Sequence, residues 1–322
     1  MKLDDIGFYT LSETRCKSAS SHTPLWRAEL ILTNKCNFSC PYCRSLRSEI
    51  DRELTREEAI NTLQMWIDEG LQNVRFSGGE PTIYPHLKEL VSLAKTNNVS
   101  HIAISTNGSA SFSLYKELIE LGVNDFSISL DACCASHGDK MAGEISGAWQ
   151  KVVDNIRQIS IFTYVTVGVV VTEETYEQLP SVIKFADSLG VGDIRIIPSA
   201  QWNVMLKAAE TVEEDMLDKY PILKYRVDNI KNDVTVRGLT EEDCHKCGLV
   251  LDDVASAGGF HFSCIIYMRE GGDWISNTTD SNWRKQREDW YNNHNTFEDP
   301  ICKKNCLDVC RLYNNKKEEY YK

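Results

Sequence analysis

The chain has 322 residues, with 47 acidic side chains against 35 basic ones, a net charge of −12, and 12 cysteines. That length suits one large domain or two modest ones with a sizeable core. The acidic balance argues against a partner held through nucleic-acid phosphates. No run of about 18 apolar residues occurs, which argues against a membrane-spanning helix. The polar, acidic start, Met1 to Asp5, is unlike a signal peptide. A cytoplasmic location is therefore expected, where thiols stay reduced. Twelve cysteines there are expected to serve metal, cluster or redox chemistry rather than disulfides.

The first 26 residues read as an N-terminal extension. From residue 27 to about 198, short apolar β-type runs alternate with amphipathic helical stretches. Strands are expected at 28–32, 74–76, 101–105, 126–130, 165–171 and 194–197. Helices are expected at 55–69, 87–94, 113–121, 148–159 and 176–189. Thr55 with Glu58 opens the first helix as a capping box, and Gly190 stops the last. Such alternation implies a parallel sheet with right-handed crossovers, open or closed into a full or partial barrel. Chemistry then collects at the C-terminal strand ends. Those ends are polar and partly glycine-rich, as in Ser77-Gly78-Gly79-Glu80 and Thr106-Asn107-Gly108. Beyond Pro198 the pattern weakens. Residues 201–225 read as a helical connection, 233–237 as a short strand and 316–322 as a frayed tail. A boundary is placed near residue 235.

The cysteines fall in two patches. Cys36, Cys40 and Cys43 follow the first strand as C-x3-C-x2-C, and Cys244, Cys247, Cys264, Cys302, Cys306 and Cys310 lie in the last quarter. Scattered core packing does not produce this distribution. Three thiolates alone do not complete a four-ligand structural metal site, so the first group leaves one metal position open, as a catalytic centre needs.

The C-x3-C-x2-C run, followed in order by Ser77-Gly78-Gly79-Glu80-Pro81, Ile104-Ser105-Thr106-Asn107-Gly108 and Ser127-Ile128-Ser129-Leu130-Asp131, resembles the radical S-adenosylmethionine (radical SAM) superfamily over roughly residues 27–200. The resemblance implies an α/β enzyme with a partial (β/α)6 TIM-like barrel over 27–235. It implies that Cys36, Cys40 and Cys43 bind three irons of a 4Fe–4S cluster, whose fourth iron chelates S-adenosylmethionine. A one-electron reductant such as flavodoxin or ferredoxin would drive cleavage to a 5′-deoxyadenosyl radical that abstracts a substrate hydrogen atom. By position, Gly78, Gly79 and Glu80 are expected near the methionine amino group and Tyr42 near adenine. Ser105, Asn107, Ser129 and Asp131 are expected at the ribose or carboxylate, and Arg195 at the methionine carboxylate.

The stretch from Cys247 through Gly259 to Cys264 resembles the opening of a SPASM or twitch auxiliary-cluster domain, which would occupy 236–322. In such a domain a hairpin follows, expected here over 260–268 and 274–275. Six cysteines fall short of the eight that two fully ligated clusters need, so three readings stand. One cluster is held by Cys244, Cys247, Cys264 and a late cysteine such as Cys310; or two clusters include an open iron or a non-cysteine ligand such as His245 or His261; or the site holds zinc. Cys133 and Cys134, just past a strand end, are candidate hydrogen-atom donors to a substrate radical, and Cys16 has no evident partner.

Enzymes of similar layout crosslink, epimerise or oxidise peptides, or act on small molecules such as sugars, nucleotides or amino acids. The 26 residues before the first strand leave no room for a leader-binding domain, so a separate leader-peptide-binding protein is expected with a peptide substrate. The end at Glu318-Glu319-Tyr320-Tyr321-Lys322 lacks the Gly-Gly tail of the molybdopterin-pathway cyclase, and peptide modification is the expected activity. A small-molecule oxidoreductase is the alternative. A non-catalytic iron–sulfur electron carrier is a third, disfavoured because a carrier needs no nucleoside pocket at the strand ends.

Overall fold

The computed structural model describes residues 13–44 and 46–320; residues 1–12, Ser45 and residues 321–322 lie outside it, including the start of the expected N-terminal extension and the end of the expected frayed tail. A short helix α1 (Glu13–Ser18) precedes β1 (Arg27–Thr33). The alternation then runs α2 (Arg56–Asp68), β2 (Asn73–Gly78), α3 (Leu87–Thr96), β3 (His101–Thr106), α4 (Phe112–Leu121) and β4 (Asp125–Ser129). It continues with α5 (Ala135–Met141), α6 (Ala148–Ser160), β5 (Tyr164–Val171), α7 (Leu179–Asp187) and β6 (Asp193–Pro198). Strands β1 to β6 pair parallel in sequence order, forming the partial barrel. The expected strands and long helices are present within about three residues. The capping box forms as read, with Thr55 and Glu58 each satisfying the other's backbone N–H. Helix α5, short and glycine-containing, was not visible as a periodic segment.

The strands alternate in character with their two-residue side-chain period. Ala28, Leu30, Val74, Phe76, Phe126, Ile128, Val165, Val167, Ile194 and Ile196 pack beneath the helices in the main core, where Trp66 and Tyr115 are also fully buried. The intervening positions Arg27, Glu29, Arg75, Asp125, Ser127, Thr166 and Arg195 line the lumen. The helical layer is therefore apolar and the lumen is charged.

Past the barrel, the 201–225 connection resolves into α8 (Glu214–Lys219) and α9 (Pro221–Lys231). Residues 233–237 form no strand; Arg237 makes only an isolated bridge with Leu307. Strand β7 (Asp253–Ala257) pairs parallel with β1, and β8 (Phe260–Phe262) and β9 (Ser276–Asn277) add antiparallel, giving one nine-stranded sheet. The hairpin turn falls at Gly258 and Gly259, both at positive φ (59° and 91°), the geometry two-residue hairpins favour. Residues 265–268, expected in the hairpin, instead belong to helix α10 (Ile265–Arg269). Helices α11 (Trp283–Asn293), α12 (Pro300–Asn305) and α13 (Asp308–Glu319) complete the chain.

The tail expected to fray is helical through Glu319, because Lys317 is buried and its ammonium donates to the Ala19 carbonyl at 2.6 Å. Among the described residues no helix is long and apolar enough to cross a membrane.

Arg287 on α11 holds the C-terminal region together. It is 1% exposed and donates to the carbonyls of Val250 and Phe262 (2.8 Å each) and of Asp253. Arg287→Met would leave three carbonyls without that donor and is expected to cost about 3 kcal/mol of stability. A denaturant melt with an unchanged midpoint would refute this account.

Candidate active site and thiol sites

The first thiol group sits on the loop after β1. Its place is set by backbone packing against the turn after β2. The Gly79 N–H donates to the Thr33 carbonyl (2.7 Å) and the Glu80 N–H to that of Lys35 (2.8 Å). A Cβ on Gly79 would meet the Lys35 oxygen at 2.1 Å, and one on Gly78 the Thr33 oxygen at 2.4 Å. Only glycine permits this approach.

Glu80 is fully buried. Its carboxylate accepts from the Thr82 N–H (3.0 Å) and hydroxyl (2.6 Å), the Thr106 hydroxyl (2.7 Å) and the Asn107 N–H (2.7 Å). Burial raises its pKa while these bonds oppose the rise. The carboxylate thus ties the turn after β2 to the turn after β3. Asn107 carries the tie onward: its amide donates to Asn37 Oδ1 (2.9 Å) and, at 3.8 Å, to Cys36 Sγ.

Tyr42 lies between Cys40 and Cys43. Its hydroxyl donates to Asp131 Oδ2 (2.5 Å), and Asp131 Oδ1 accepts the Val170 N–H (2.7 Å). Burial pushes the Asp131 carboxyl up to about 6, against the lowering by these bonds. Burial, then Asp131 and the neighbouring thiols, pushes Cys40 up to about 12. A metal cation held here would offset this penalty by pairing with the thiolates. Cys40, Tyr42, Asn107, Ser129 and Asp131 line one cavity at the strand ends, closed on one side by Trp149.

Two expected members of that group lie elsewhere. Ser105 accepts a hydrogen bond from Arg75 (3.0 Å), and Arg195 donates to Ser127 (3.4 Å) and lines the barrel lumen below. Cys133 packs partly buried against the core. Cys134 sits 3.5 Å from both Ser136 Oγ and His137 Nδ1, and its thiol pKa is lowered, chiefly by the Ser136 hydrogen bond. Neither cysteine lines the cavity at the strand ends or the lumen. Cys16 is buried in a small cluster with Ala19, Leu249 and Tyr313, against which Cys247 and Cys310 pack.

The C-terminal thiols converge. Cys247, Cys264, Cys302, Cys306 and Cys310 line one cavity. Cys244 does not; its sulfur faces the backbone of Lys246. Neither histidine weighed as a ligand reaches the cavity. His261 is fully buried, accepting from Trp66 Nε1 (3.2 Å) and paired with Ser276 Oγ (3.0 Å). His245 stacks on Phe297 and contacts the Glu241 carbonyl. Among the described residues, the one group of three metal-type donor atoms within 4.8 Å of one another is His294, Asp299 and Cys302. No three thiols are that close, whereas a single tetrahedral zinc ion would draw them to about 3.8 Å. His294, Asp299, the lumen residues Glu29, Arg75 and Arg226, and Arg269 on α10 were not singled out by spacing, since each lies outside any cysteine or glycine motif.

Residues 30–186 match the family model described as "Radical SAM superfamily". Among curated proteins, a probable GTP 3′,8-cyclase of Sulfurisphaera tokodaii is 28% identical over 205 residues, 59% of this chain and 64% of that protein. The GTP 3′,8-cyclase of Microcystis aeruginosa is 34% identical over 128 residues, 37% of this chain and 39% of that one. The chain thus spans less than two thirds of the length of these relatives. Among solved structures, Streptococcus suis SuiB bound to S-adenosylmethionine superposes with a TM-score of 0.58 at 17% identity, over 87% of this chain and 67% of that one. Native anSMEcpe with bound AdoMet superposes with a TM-score of 0.60 at 15% identity, over 92% of this chain and 95% of that one. With the motif order, the glycine-to-backbone packing and the three-thiol loop in place, the family match marks residues 30–186 as a radical SAM domain.

Proposed function

We propose that the chain is an enzyme that abstracts a hydrogen atom from a substrate bearing an anionic group. In this reading Cys36, Cys40 and Cys43 would hold the 4Fe–4S cluster, and S-adenosylmethionine would occupy the cavity bounded by Cys40, Tyr42, Asn107, Ser129 and Asp131. When bound and reduced by a carrier such as flavodoxin or ferredoxin, these groups supply a 5′-deoxyadenosyl radical. The chain's own residues orient and shield. Glu80 and Asn107 fix the two turns beside Cys36, the Tyr42–Asp131 bond locks the aromatic ring, and Trp149 closes the cavity wall. Residues 27–235 are assigned to the radical SAM barrel and 236–322 to a SPASM- or twitch-like auxiliary domain. Five thiols around one cavity favour a single auxiliary cluster there, with Cys244 outside it.

The observation that carries the substrate class is the lumen. The guanidinium groups of Arg27, Arg75, Arg195 and Arg226 line it against the carboxyls of Glu29, Asp125 and Asp253. Four guanidiniums against three carboxyls give this lining a formal excess of one positive charge, inside a chain of net charge −12. Buried guanidiniums suit carboxylate or phosphate. The same cavity reaches Cys264 and Cys310. Relatives named for GTP, an anion, agree with this reading. Peptide modification, with a separate leader-binding protein, is the second reading. It is favoured by a wide cavity of about 330 Å³ at the strand ends, where Tyr42, Met141, Glu173, Glu174 and Trp202 can receive a side chain presented from outside.

Anaerobically reconstituted protein given dithionite and S-adenosylmethionine is expected to form 5′-deoxyadenosine, and Cys36→Ala/Cys40→Ala/Cys43→Ala to form none. Iron analysis should give about eight irons per chain, falling to about four in the triple variant; continued 5′-deoxyadenosine formation by that variant would refute the assignment. GTP and a synthetic peptide, offered separately, distinguish the two substrate readings by which one is converted. For an anionic substrate, Arg75→Gln should raise KM at least about tenfold; an unchanged KM would remove the lumen from substrate binding. Gly79→Ala should cost about 1–3 kcal/mol through the Lys35 clash and lower catalytic iron content, and full iron loading at wild-type stability would contradict the packing account.

A further inference from the structure

The loop that carries the first three thiols is held from outside the barrel. Leu46 and Ile50 bury in a small core with Phe262 and Met268. Arg44 pairs with Glu270, Arg47 donates to the Gly271 carbonyl (3.0 Å) and Arg52 to that of Gly258 (2.9 Å). Helix α10 is central to this clamp. It is capped by Cys264, whose sulfur accepts the Tyr267 N–H (3.3 Å) and lines the five-thiol cavity. It ends at Arg269, whose guanidinium donates to the carbonyls of Arg44 (3.0 Å) and Gly78 (3.2 Å). Arg44 directly follows Cys43, and Gly78 begins the Gly78-Gly79-Glu80 turn. The same guanidinium lies in the field of the Cys43 thiol and the Glu29 carboxylate. A five-residue helix is not stable alone, so the position of α10 depends on its two anchored ends.

We propose that Arg269 is a positioning residue that couples the two thiol sites: ligation at Cys264 fixes α10, and Arg269 at its far end holds the Cys43 side of the loop against the Gly78 turn in the geometry that binds S-adenosylmethionine. The proposal rests on reading both thiol groups as iron–sulfur sites. A planar fork reaches two carbonyls at once, which an ammonium does not. A fixed cation beside Cys43 also favours the more negative, reduced state of a cluster there.

The test uses the full-length reconstituted protein and its Arg269→Gln, Arg269→Lys and Cys264→Ala variants. Iron content and the electron paramagnetic resonance spectrum of the reduced Cys36–Cys40–Cys43 site come first; absence of that signal in the wild type overturns the cluster reading itself. With that signal present, S-adenosylmethionine affinity is measured by anaerobic equilibrium dialysis. Arg269→Gln should weaken binding at least about tenfold, alter the spectral change that S-adenosylmethionine causes, and move the midpoint potential negative. Arg269→Lys should restore the potential but not the affinity. Cys264→Ala should weaken binding with little change in potential, and the Arg269→Gln/Cys264→Ala double variant should lose no more than Arg269→Gln alone. Wild-type affinity and spectrum in Arg269→Gln, or fully additive losses in the double variant, overturn the coupling. If Arg269→Gln fails to load iron, Arg269→Lys decides: wild-type affinity there overturns the proposal, and weakened affinity at wild-type potential upholds it.

Discussion

Glu80 is sealed from bulk solvent. Its carboxylate is fully buried and is satisfied by four donors from Thr82, Thr106 and Asn107. A buried charge persists only when so paired, and removing a donor leaves the desolvation cost uncompensated. The turns after β2 and β3 are therefore locked to one another, and through the Asn107 amide to the loop of Cys36. Everything at the strand ends inherits its position from this tie: the glycines that face β1 backbone to backbone, the three-thiol loop, and the cavity that Ser129 and Asp131 close on the far side.

The lumen below obeys a different constraint. Inward positions of β1, β2, β4 and β6 carry charge, while their outward neighbours are apolar and packed under helices. Burying so many guanidiniums costs desolvation unless carboxylates or a ligand offset it. Arg27 is matched by Asp253 at 2.5 Å, and Arg226 by Asp308 at 3.0 Å. Arg75 lies farther from Asp125, at 3.6 Å. Under the proposed function, the formal excess of guanidinium over carboxyl in this lining would favour an anion.

The C-terminal region is joined to the barrel by more than the chain. Strand β7 pairs directly with β1, the strand that delivers Cys36. The α10 segment reaches back to the carbonyl of Arg44, just after the first thiol group, and to that of Gly78 in the turn after β2. Cysteines separated by some 200 positions in sequence thus become parts of one supported structure, and changes at one site have a short covalent and hydrogen-bonded route to the other.

Much of this was legible in the linear order. Strand–helix alternation gave the parallel barrel because period-two and period-3.6 patterns are local properties. The C-x3-C-x2-C run, the paired glycines and the Asn107 turn were legible because close backbone approach and a thiol loop are encoded by neighbouring residues. Even the charged lumen is written in alternations such as Arg27-Ala28-Glu29-Leu30 and Asn73-Val74-Arg75-Phe76, although the sequence does not say that the charged sides of different strands meet. Tertiary structure alone decided the rest. It separated Arg195 from the Tyr42–Asp131 cavity, committed His261 to Trp66 and Ser276, left Cys244 outside the five-thiol cavity, and turned 265–268 from strand to helix. The reason is physical: which side chains converge depends on strand register and on contacts between residues far apart in the chain, and no local pattern records those distances.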